Sequence, residues 1–227
     1  KNYKNQKDEI NLLGNRGQII YNKSRLKALT FAQKYRFQLA LMDDGLQQKN
    51  IKYNLKIACF NSEEGLGNGY LLPAGPLRES MSELKYCDIA VINGEKRNIK
   101  LERNIKKINK NIKIFKGKYE PKNLNNFNLN KSYLMFCGIG NPKEFERTLI
   151  KHNFKVKNKI LFPDHYSFSS EEIKNIKNNA KKRKLNIITT EKDYFRLSKK
   201  QRENIDYLKV KLKIKELNRF KKILNKI

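Results

Sequence analysis

The sequence predicts an α/β protein built from two successive units, and three observations carry that expectation. Short apolar runs alternate with amphipathic, helix-like stretches along most of the 227 residues. Several of these stretches open on a helix-capping residue. A segment rich in Asn and Lys, from Glu120 to Lys131, contains Pro121 and little apolar periodicity. It sets a first unit, residues 1–120, apart from a smaller second one, 121–227.

In chain order, Ser24 is placed to cap a helix over Arg25–Tyr35. Strands are expected over Phe37–Met42, Leu55–Phe60, Asp88–Ile92 and Ile112–Phe115, then over Ser132–Cys137. Asn141 caps the next helix, with Pro142 in its first position and Glu144 three residues after the cap. Ser169 and Glu172 form a capping box that opens a helix running to Lys184. A further strand is expected over Leu185–Thr189. The basic tail from Lys209 onward reads as strand then helix, and it is able to pack back on the first unit.

Lys and Arg number 51 against 22 Asp and Glu, a formal charge of +29. Such a surface suits nucleic acid, anionic lipid headgroups or phosphorylated substrates without distinguishing them. Stretches such as Ile99–Lys118 and Asn123–Lys131 reflect a Lys/Asn/Ile bias and lack the aromatic interleaving of single-strand binders, so no specific nucleic acid is expected. No apolar run is long enough to span a bilayer, and the polar start at Lys1 does not read as a signal peptide. Cys59, Cys87 and Cys137 are far apart in apolar runs, without zinc-ligand spacing. They read as reduced core thiols of a cytoplasmic protein.

Four segments carry chemistry. The run Leu39-Ala40-Leu41-Met42 ends in Asp43-Asp44-Gly45, which fits a turn. It also fits a strand end whose carboxylates hold Mg²⁺, as in phosphoryl-transfer folds. The uncharged Gly/Pro loop Gly65–Leu77 ends on Arg78. It reads as a structural connection or as a seat for an amphiphilic ligand, with Asn68 and Arg78 as candidate substrate contacts. His165 in Pro163-Asp164-His165-Tyr166 fits a loop-ordering residue or a proton acceptor beside a carboxylate. His152 reads as structural. Thr189-Thr190-Glu191-Lys192-Asp193 follows a strand and fits a capping turn or a polar site at the strand's end.

Together the LxDDGxQ, GxGNGxLLPAGPLRE, GIGNP (Gly138–Pro142), PDHYxF and TTEKD stretches resemble the tetraacyldisaccharide 4′-kinases of lipid A biosynthesis. The resemblance runs from about Asp8 to Leu197. It implies a P-loop-kinase-like sheet followed by a smaller α/β domain. It also implies transfer of the ATP γ-phosphate to the 4′-hydroxyl of a tetraacylated glucosamine disaccharide 1-phosphate. ATP and Mg²⁺ are the implied cofactors, and an anionic membrane surface the implied setting, at the cytoplasmic face of the bacterial inner membrane. Lys7-Asp8-Glu9 matches the end of the family's GDE motif, with Lys in place of Gly. By the resemblance, Asp8 and His165 form the dyad that takes the hydroxyl proton, and Asp43, Asp44 and Glu9 lie near Mg²⁺.

One departure stands out. No GxxxxGK[ST] glycine loop occurs anywhere in the sequence, so the P-loop-type sheet is expected to be incomplete at its N-terminal side. The chain then reads as a piece of a longer kinase or the product of a split gene, with little activity alone. The rival reading is a non-catalytic remnant that binds the anionic glycolipid. A basic nucleic-acid-binding protein is a further alternative that the motif set does not support.

Overall fold

In a computed structural model of the chain, residues 17–226 are described. They form two units, residues 21–120 with 211–226 and residues 121–210 with 17–20, each around its own parallel-rich sheet. The α/β expectation is met in both.

The first unit opens with helix α1, Arg25–Lys34, whose N-cap Ser24 accepts a hydrogen bond from the Lys27 N–H. Strands β1 (Ile57–Asn61), β2 (Ile89–Asn93) and β3 (Lys113–Pro121) run parallel, with Ile57 opposite Ile89 and Ile89 opposite Lys113. Helix α2, Ile99–Ile108, connects β2 to β3. Because successive strand residues face opposite sides, β2 feeds two cores. Ala90 and Ile92 pack with Leu101 and Ile105 of α2, while Ile89 and Val91 join Phe115 on the other face. The sheet order is β1-β2-β3 and then a late strand, Val210–Ile214. Gly117 permits that approach, since a Cβ there would lie 2.8 Å from Leu212 Cδ1. The closing helix Leu217–Leu224 brings Phe220 edge-on to Phe115, ring centroids 5.1 Å apart.

Two sequence expectations fail in this unit. Phe37–Met42 is not a strand, and Leu39 and Leu41 are 64% and 87% exposed. Its backbone groups have no sheet neighbour among the described residues, and an apolar run is a strand only when one is there. Cys59 is exposed. It sits on the edge strand β1, and the apolar cover on that face reaches Ile57 without including Cys59.

The second unit is more regular. Strands β4 (Ser132–Cys137), β5 (Lys155–Leu161), β6 (Asn186–Thr190) and β7 (Asp206–Leu208) are all parallel, in the order β5-β4-β6-β7. With these, the late strand of the first unit is β8. Tyr133, Met135 and Cys137 face Phe145 and Leu149 of α3 (Pro142–Lys151). Leu134 and Phe136 face Ile173, Ile176 and Ala180 of α4 (Ser170–Lys182). Burial on both faces explains why β4 is an unbroken apolar run. The expected caps form: Asn141 accepts from the Glu144 N–H, and Ser169 with Glu172 makes a full capping box. Two short helices, α5 (Glu191–Arg196) and α6 (Lys199–Arg202), precede β7, and α7 is the closing helix Leu217–Leu224.

The segment after β3 is more than a spacer. Leu124, Phe127 and Leu129 pack against the α3-side core, and the Asn123 side chain bonds Tyr207 O and Lys209 N.

Candidate functional site

The first unit gathers two of the motif segments. Asp43 and Asp44 turn the chain, with Asp44 in the left-handed region at φ 49°, ahead of a 3-10 turn Gly45–Gln47. Arg25 fixes this turn from α1, donating from Nη1 to Asp44 O at 2.9 Å and from Nη2 to Asp43 O at 3.0 Å. The Asp44 carboxylate meets Arg78, Oδ2 to Nη1 2.6 Å, across 34 residues of sequence. The two motifs therefore converge on one ion pair.

The Gly/Pro loop that delivers Arg78 is built around Asn68. Its Nδ2 donates to Ala74 O at 2.8 Å, and its Oδ1 accepts from the Tyr70 N–H at 3.1 Å. Gly75 packs so closely that a Cβ would sit 2.2 Å from Asn68 Oδ1 and 2.3 Å from Tyr70 O. Leu72 N–H bonds Leu77 O and Leu77 N–H bonds Tyr70 O, so the loop folds on itself. Asn68 thus has a loop-holding role in this structure. Tyr70, Leu71 and Leu72 are turned outward, exposed by 66%, 46% and 62%.

Asp43 and Asp44 offer the hard oxygen donors that Mg²⁺ takes, and Mg²⁺ commonly binds through one or two carboxylates plus phosphate and water. Glu9 and Asp8 lie outside the described residues. Among the described residues no three His, Cys, Asp or Glu side chains cluster to hold a metal.

The second unit has its own constellation. The chain passes from β4 to β5 on one side of the sheet, then returns to β6 on the other. The carboxyl ends of β4 and β6 therefore flank a topological switch point, where open α/β sheets bind ligands. Three segments meet there: Gly138–Asn141 after β4, Phe162–Phe168 after β5 and Thr190–Arg196 after β6. Asp193, fully buried, ties the first of these to the third. Its Oδ2 accepts from the Gly138 N–H at 3.0 Å and from Thr190 Oγ1 at 2.8 Å. Its Oδ1 pairs with Arg196 Nη1 at 2.8 Å, and the same Nη1 donates to Gly138 O. Cys137 beside it is inert, its thiol pushed up to about 12 by burial, with the Asp193 charge adding to the effect.

His165 projects over this cluster with its backbone at φ 57°, an uncommon conformation for a non-glycine residue. Arg196 Nη2 lies 3.2 Å from His165 Nδ1, Lys192 Nζ 3.4 Å from Nε2, and Asp164 Oδ2 3.8 Å from Nε2. A guanidinium and an ammonium can only donate, so both ring nitrogens face a cationic donor and these contacts select neither tautomer.

Sequence reasoning singled out His165 and the turn from Thr189 to Asp193 but not Arg196. Its pairing with Asp193 three residues earlier on a helix after a strand end was the available signal. His152, the other histidine, caps the C-terminus of α3 through its backbone N–H.

A family model described as tetraacyldisaccharide-1-P 4′-kinase, LpxK, matches residues 4–227. The tetraacyldisaccharide 4′-kinase of Pelagibacter ubique is 43% identical over 95% of this chain and 69% of its own length. That of Rickettsia canadensis is 31% identical over 93% of this chain and 64% of its own. A crystal structure of LpxK from Aquifex aeolicus, described as in complex with ATP, aligns with a TM-score of 0.58 at 24% identity, over 89% of this chain and 62% of that one. The chain thus spans roughly three fifths to two thirds of these relatives' length. With its LxDDGxQ, GNGxLLPAGPLRE and PDHYxF segments in place on this fold, the chain belongs to the LpxK family of tetraacyldisaccharide 4′-kinases.

Proposed function

We propose that the chain supplies the acceptor-binding and proton-handling part of an ATP-dependent kinase. That kinase transfers the γ-phosphate to the 4′-hydroxyl of a tetraacylated glucosamine disaccharide 1-phosphate. The observation that carries this reading is the convergence of the aspartate turn and the Gly/Pro loop at Asp44–Arg78. Phosphoryl transfer demands positioning and charge neutralisation above all. Asp43, Asp44 and Glu9 would hold Mg²⁺, which when bound offsets the charge on the phosphate oxygens. Arg78 would then exchange its carboxylate partner for an anionic group of a ligand. Asn68 keeps the loop in shape around the acceptor and contributes to its contact. The outward Tyr70, Leu71 and Leu72 suit acyl chains.

Asp8 and His165 act as a pair on the acceptor hydroxyl, and the charge of +29 suits an anionic membrane surface at the cytoplasmic face. No helix among the described residues is long and apolar enough to cross a membrane.

The β- and γ-phosphates need a glycine loop that this sequence does not contain. The test is transfer of labelled phosphate to the disaccharide acceptor, by the chain alone and by the chain joined to a glycine-loop segment from a longer family member. Turnover that appears only with the segment supports the reading. Glycolipid binding without turnover in either case points to a non-catalytic remnant.

A further inference from the structure

We propose that the outward face of α4 is a binding site for a phosphorylated polyol, a phosphate ester that also carries free hydroxyls. α4 buries Ile173, Ile176 and Ala180 in the core with Leu134 and Phe136. At 3.6 residues per turn, Asn175, Asn178, Asn179 and Lys182 fall on the opposite side of the helix. There, with Arg183, they line an open cavity of about 360 Å³. Asn158 on the edge strand β5 donates from Nδ2 to Asn179 Oδ1 at 3.3 Å, which ties one wall to the sheet.

The lining selects the ligand class. Side-chain amides both donate and accept, as hydroxyl groups do, whereas Lys and Arg only donate and favour phosphate oxygens. No carboxylate of this stretch competes for them, because residues 173–190 contain six Lys and Arg and no Asp or Glu. The Lys and Asn bias of the chain supplies these residue types, and the helix gathers them on one stripe.

A helix C-terminus ordinarily repels anions, because its free carbonyls gather there. In α4 those carbonyls are engaged. Asn179 O accepts from the Arg183 N–H, Ala180 O from the Leu185 N–H and Lys181 O from the Lys184 N–H. Lys184, in the left-handed region at φ 54°, turns the chain back to close these bonds. The charges of Lys182 and Arg183 are left to act outward. Lys182 lies a helix length, about 20 Å, from the Ser169 cap beside the His165 loop, so this cavity is separate from the strand-end cluster.

The test uses the full chain without nucleotide, so its outcome does not depend on the kinase reading. Glycerol 3-phosphate should shift the backbone amides of residues 175–183 in a ¹H–¹⁵N spectrum. It should bind more tightly than inorganic phosphate, which lacks the carbon-borne hydroxyls. Asn178→Ala keeps the charge and suits a helix, and it should weaken glycerol 3-phosphate binding about fivefold, the loss of one hydrogen bond. Lys182→Gln with Arg183→Gln should weaken it at least about tenfold, since hydrogen bonds to charged groups are the stronger ones. Lys107→Gln with Lys110→Gln, the same charge change at exposed positions of the first unit, should change it little. Vesicles of phosphatidylcholine alone and mixed with phosphatidylglycerol distinguish the source. Capture by the mixed vesicles that is lost in the Lys182/Arg183 variant places the headgroup in a membrane. Glycerol 3-phosphate binding without vesicle capture assigns the site to a soluble phosphorylated polyol. No shift at residues 175–183 with glycerol 3-phosphate overturns the proposal, as does unchanged binding in Asn178→Ala or equal loss in the two double variants.

Discussion

Arg78 and Asp44 form an ion pair at 2.6 Å between two loops, with both side chains more than half exposed. Exposed pairs of this kind contribute at most about 1 kcal/mol to stability. Arg78→Ala and Asp44→Ala should therefore shift the urea midpoint of the chain little. In a chain joined to a glycine-loop segment, Asp44→Ala should reduce Mg²⁺-dependent turnover far more than it reduces stability. A near-normal rate at limiting Mg²⁺ would return Asp43 and Asp44 to a simple turn.

Gly75→Ala tests the loop that carries Arg78. The added methyl would meet Asn68 Oδ1 at 2.2 Å and the backbone Tyr70 O at 2.3 Å, and no side-chain rotation relieves the second contact. Overpacking of this kind costs about 1–3 kcal/mol, here confined to the loop. Amide exchange at Leu72 and Leu77, whose N–H groups close the loop, should accelerate while exchange in β4 stays unchanged. Equal protection in variant and wild type would mean the loop is not held by this packing.

Near the second-unit site, Glu172 accepts from the Tyr166 hydroxyl and from the Ser169 N–H, which hold its carboxyl below the ordinary range. A carboxyl depressed in the folded state adds stability that is whole above its unfolded pKa, about 4.3. That stability is lost as pH falls through the lower folded value. Glu172→Gln should lower Tm at neutral pH, and the gap to wild type should close as the pH falls below about 4. A gap constant with pH would remove the carboxylate from the explanation.

In the complete kinase, removing Asp8 or His165 should each cost on the order of 10²–10⁴ in kcat. Removing both should cost much less than the product of the two, because residues acting as a unit are not additive. Multiplicative losses would show two independent residues, and a stability loss with kcat intact would make His165 a loop-ordering side chain.

What was legible in the sequence follows from burial. Tyr133–Cys137 is apolar at every position because both faces of β4 are covered, and it was read as a strand residue for residue. The caps at Ser24, Asn141 and Ser169 were equally plain, since each satisfies a specific orphan N–H. Strand β5 alternates Lys with partly buried residues on a sheet edge, and the surrounding lysine bias concealed it. The same bias hid α2, where Leu101 and Ile105, one helical turn apart, make the buried stripe. Phe37–Met42 failed the other way, because apolar character does not supply a partner strand. Arg196 escaped notice because only the return of the chain across β4 brings the end of β6 to the loop after β5.

The most direct measurement is labelled-phosphate transfer from ATP to the tetraacylated disaccharide 1-phosphate, with the chain alone and with the chain joined to a glycine-loop segment. The expected result is no turnover above background for the chain alone. With the segment, turnover should appear, depend on Mg²⁺ and be lost in His165→Ala. Turnover by the chain alone in the ordinary kinase range, about 1–100 s⁻¹, would contradict the account, as would a folded joined chain that transfers no phosphate.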